Sequence, residues 1–74
     1  MAMPENANRS FRIAYDKLNE FYPPENTVEF ANHVAGDFMG VLHDNGQDRL
    51  LSHLLASVYN YLSDAAKMGS VGQK

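Results

Sequence analysis

Glu29, His33 and Asp37 stand four residues apart from one another. That spacing stacks side chains along one face of a helix. A carboxylate–imidazole–carboxylate ladder offers oxygen and nitrogen ligands, and so can hold a divalent metal. These three residues are the candidate metal ligands. The set lacks the paired Glu-x-x-His motifs of metal sites in helical bundles. The competing reading is a solvated face on which both acids favour a protonated His33.

Gly36 and Gly40 lie four apart on the same polar side. Glycine in a helix interior costs roughly 1 kcal/mol against alanine, and the apolar seam lies elsewhere. They mark a candidate close-approach face, where missing side chains would let another backbone or a ligand lie against the helix. A tolerated kink is the plainer alternative. His43 follows the last apolar residue of its segment and suits the carbonyl end of a helix. His53 shares a polar face with Asn60 and Asp64.

Catalytic machinery is not visible. Cysteine is absent, Ser10, Ser52, Ser57, Ser63 and Ser70 fall in no nucleophile-elbow pattern, and no glycine-rich phosphate loop occurs. His53 and Ser57 could hydrogen-bond across one helical turn, but an orienting acid and an oxyanion site are missing. No enzymatic activity and no cofactor are expected.

The 74 residues allow one small domain with a thin core. Six basic residues, Arg9, Arg12, Lys17, Arg49, Lys67 and Lys74, are scattered, and the net charge is −3. A nucleic-acid binder needs a basic stripe, so no nucleic-acid partner is expected. A helix-turn-helix reading centred on residues 42–48 fails because the following segment is short of base-reading side chains. No apolar run approaches the ~18 residues of a membrane span, and residues 1–8 do not resemble a signal peptide. The expectation is a cytoplasmic protein without membrane contact.

Three helices account for the apolar periodicity, and no segment alternates as a strand does. The first is expected at about 8–21, with Ala7, Phe11, Ala14, Leu18 and Phe21 facing inward, Tyr15 and Tyr22 beside them, and Ile13 on the polar side. Pro23 and Pro24 end it. The second is expected at 27–43, opened by Asn26 with Glu29 as a capping-box variant. Its seam is Val28, Ala31, Ala35, Phe38 and Leu42, flanked by Val34, Val41 and Met39. Asn45-Gly46 is a natural left-handed stop. The third is expected at 48–68, and residues 1–7 and 69–74 are expected to be flexible.

In the third segment Leu51, Leu55, Val58, Leu62 and Ala65 form a seam, with Leu50, Leu54, Tyr61 and Met68 on one side and Tyr59 and Ala66 on the other. These positions span roughly half the circumference, where a surface helix shows a stripe little wider than ~100°. The short second link makes the last two helices an antiparallel hairpin, expected to dominate the packing. Two hairpins would pair as a dimeric bundle, with Leu51, Leu55, Val58, Tyr59 and Leu62 as its interface. The functional expectation is an all-α, homodimeric, non-catalytic interaction module: an adaptor, regulator or inhibitor of another protein. The alternative is a small helical protein that binds a small ligand or a divalent metal.

Overall fold

Three helices, and no strand, make up the described part of the chain, residues 6–72 of a computed structural model. They are α1 (Ala7–Phe21), α2 (Val28–Asp44) and α3 (Arg49–Gly72). The expectations for residues 1–5 and for Gln73 and Lys74 lie outside the described residues.

Each boundary has a local cause. α1 stops at Phe21 because Tyr22, preceding Pro23, is extended (φ −96°, ψ 134°). α2 opens on Thr27, whose Oγ1 accepts the Phe30 N–H at 3.0 Å. The Asn26–Glu29 box is therefore not the cap. The cap falls one residue later, and Phe30, three residues on, cannot complete a box. Asn45-Gly46 does stop α2. Gly46 adopts φ 70°, its N–H bonds to the His43 carbonyl at 3.1 Å, and the Gln47 N–H reaches back to Leu42 at 2.8 Å. This pair of bonds is the Schellman motif. Gln47 is also left-handed, φ 54°, a conformation that crowds any Cβ. Asp48 opens α3, its Oδ2 accepting the Leu51 N–H at 2.9 Å. α3 then runs on to Gly72, past the expected end at Met68.

The core is one cluster: Phe21, Val34, Phe38, Leu51, Leu55 and Leu62, with Ile13, Leu18, Phe30, Val41, Leu42, Val58 and Tyr59 packed against it. Phe21 is its hub. Its ring meets Phe30 and Phe38 edge-on, with centroids 6.1 and 5.9 Å away, the geometry aromatic quadrupoles favour.

α1 lies beside α3 and runs in the same direction. Its start meets the start of α3 through Asn6, Ser10 and Asp48, and Tyr22 at its end stacks on Tyr61. α3 is apposed more extensively to α1 than to α2, although α2 was expected to be its main neighbour. The reason is side-chain size. α1 presents Ala7, Ser10 and Ala14 inward, and small residues let two backbones approach.

That choice rotates α1 away from the expected face. Ala7, Ser10, Ala14 and Phe21 are buried, whereas Phe11, Tyr15 and Tyr22 are exposed. Ile13, expected on the solvent side, packs on the core. Ser10 keeps only 3% of its surface, and its hydroxyl is satisfied by Asp48 Oδ2 at 3.2 Å. The Asn6 side-chain amide donates to the other Asp48 oxygen. α2 is rotated as well. Val34, expected at the flank, is among its most buried residues, while Val28 and Met39 are exposed.

Candidate interaction surface

The expected metal ladder is occupied by other work. Asp37 Oδ2 sits 2.9 Å from Lys17 Nζ, which also holds Glu20 Oε1 at 3.1 Å. That buried Asp37 oxygen has the Lys17 ammonium as its partner. The Asp37 carboxylate, chiefly, and then Glu20 hold the Lys17 ammonium above its usual pKa, against the opposing pull of burial. His33 lies edge-on to Phe21, with ring centroids 5.7 Å apart, and Glu29 points to solvent. Among the described residues no group of three or more His, Cys, Asp or Glu side chains is gathered for a metal.

Gly36 and Gly40 face outward, and a Cβ built at either would meet nothing within 4 Å. Among the described residues nothing makes the close approach their spacing invites. Changing both to alanine removes backbone entropy from the unfolded state without a clash. The expected result is a gain of about 1–2 kcal/mol, read as a higher urea midpoint. A loss of stability, or of any self-association, would mean that the bare backbone is used. His43 and His53 are both exposed. His53 borders a depression with Asn6, Asp48, Arg49 and Leu50.

The five residues expected between copies divide. Leu51, Leu55 and Leu62 retain 1%, 4% and 2% of their surface within the single chain. α1 and α2 already cover them within the chain. Val58 and Tyr59 are partly buried and pack on the same cluster.

Apolar surface remains in two other places. The larger follows the groove between α1 and α3, on the side away from α2. Phe11, Tyr15, Tyr22 and Tyr61 are 51%, 64%, 53% and 54% exposed. Phe11 and Tyr15 fall on one line of α1, and Tyr22, just past its end, stacks on Tyr61 with centroids 6.4 Å apart. Half-exposed rings of this size hold about 100 Å² each. The four together offer about 400 Å², the size of the largest apolar patch on a typical monomer, which often has a function. Periodicity puts Phe11 in the inward seam with Tyr15 and Tyr22 beside it; of that seam Leu18 does pack on the core, whereas the three rings turn outward.

The second place is a cleft of about 250 Å³ between α2 and α3, on the side away from α1. Ala35, Phe38, Met39, Leu42, Leu55, Ala56, Tyr59 and Asn60 line it, and little of the lining surface is polar. No described helix is long and apolar enough to cross a membrane.

The described residues define a small three-helix, all-α fold with several large aromatic side chains exposed. The chain matches no protein-family model, no curated protein and no solved structure.

Proposed function

We propose that this chain is a non-catalytic interaction module of the cytoplasm, working as a homodimer and serving as an adaptor, regulator or inhibitor of another protein. One observation carries the reading: four large aromatic side chains on the α1/α3 face stay more than half exposed in a chain that fills its own core. Solvated tyrosine and phenylalanine rings are common anchors of protein interfaces. In this reading α2 and α3 form an antiparallel hairpin. Its support is that Phe30, Ala31 and Val34 share a cleft with Leu62 and Ala66, while Phe38 and Leu42 share one with Leu55. The contact between copies moves from the leucine seam to the aromatic stripe.

Light scattering at low micromolar concentration is the test. The wild type is expected at twice the mass of the chain. Phe11→Ser with Tyr15→Ser is expected at the mass of one chain, with the helical circular dichroism retained because neither ring is part of the buried cluster, and with a melting temperature lowered by the loss of association and no longer dependent on concentration. A wild type that is monomeric under these conditions would refute the dimer.

A second reading draws on the α2/α3 cleft. Its volume and apolar walls suit a small apolar ligand. A hydrophobic dye that binds the wild type but not Ala56→Trp, which fills the cleft, would support it.

A further inference from the structure

We infer that the second copy docks on the aromatic stripe by laying its own α1 antiparallel to this one, about a two-fold axis at the level of Ala14. The inference rests on the self-association proposed above and specifies its geometry.

Charge makes the choice. Arg12 and Asp16 are exposed on α1 and border one shallow depression together with Asn8, Phe11 and Tyr15. Among the described residues the ion pairs are those of Lys17, and neither Arg12 nor Asp16 takes part in them. A two-fold interface is self-complementary: if residue i meets j, then j meets i. With antiparallel helices crossing at Ala14, Arg12 faces Asp16 of the partner subunit, and Asp16 faces Arg12 of the partner subunit. One sequence thus generates two ion pairs. A parallel two-fold pairing sets the Arg12/Asp16 edges of the two helices on opposite sides of the seam, where neither charge meets its complement.

Shape agrees with charge. In the antiparallel register Phe11 stands level with position 17 of the second helix, so its ring enters the gap between Tyr15 and Leu18 of the partner subunit, as a knob enters a hole. The Tyr22–Tyr61 stack then closes each end. The four rings supply about half of the ~800 Å² per partner typical of a stable interface, and the flanking Asn8, Arg12, Asp16 and Asn19 provide a polar rim.

Charge reversal tests this by sedimentation equilibrium on the full chain. R12D alone and D16R alone each turn both ion pairs into repulsions and are expected to weaken the dimer about tenfold. The double variant R12D/D16R restores both pairs and is expected to recover wild-type affinity. An equimolar mixture of the two single variants is expected to form a heterodimer tighter than either homodimer, a result that general destabilisation does not produce. A dimer indifferent to the single reversals overturns this geometry and leaves self-association standing. A wild type monomeric at every concentration tested overturns both.

Discussion

Leu55→Asp is expected to unfold the chain at room temperature, with loss of most helical circular dichroism. Leu55 is almost fully buried in the apolar cluster with Phe38, Leu51 and Leu62. Burying an unpaired charge costs several kcal/mol. A domain of this size holds only about 5 kcal/mol in total. The outcome also separates two pictures of the leucine seam. A seam between copies would let the variant survive as a folded monomer. A seam inside the chain leaves only an unfolded one. A folded, monomeric Leu55→Asp chain would therefore contradict the packing described here.

Asp48→Ala is the second large effect. The carboxylate holds three donors at once: the Leu51 N–H that starts α3, the Ser10 hydroxyl and the Asn6 amide. Loss of a helix cap costs about 1 kcal/mol. Leaving the buried Ser10 hydroxyl without an acceptor costs roughly 1–3 kcal/mol more. The expected total is about 2–4 kcal/mol, measured by urea denaturation. Ser10→Ala in the same background removes the orphaned hydroxyl and is expected to recover part of the loss. Strict additivity of the two single changes would show that they do not interact.

Helix number, order and the two linkers were legible in the sequence because their causes are local. Pro23, Gly46 and the capping side chains act within a few residues of themselves. The faces of the helices were less legible. Ser10 and Lys17 point inward because their partners, Asp48 and Asp37, lie far along the chain, and no periodic count of apolar residues reveals that. Phe11 is as apolar as a true core residue and falls on the helical period, which places it inside, with Tyr15 and Tyr22 beside it. Small residues at Ala7, Ser10 and Ala14 decided the contest by allowing a closer helix pair than the bulky stripe could. The ladder of Glu29, His33 and Asp37 was a correct reading of spacing, but spacing alone says nothing of Lys17, which reaches Asp37 from another helix. The aromatic face was present in the sequence as residues, but not as a surface, because exposure depends on which neighbour arrives first.

The corner at Asp48 has an electrostatic consequence. Two helices that run the same way place their amino ends side by side, and each end carries roughly half a positive elementary charge from its aligned peptide groups. Like poles so close repel. One carboxylate set between the first turns of α1 and α3 offsets both. Had α1 been laid down the other way, its opposite pole would have met α3, and that corner would have needed no anion.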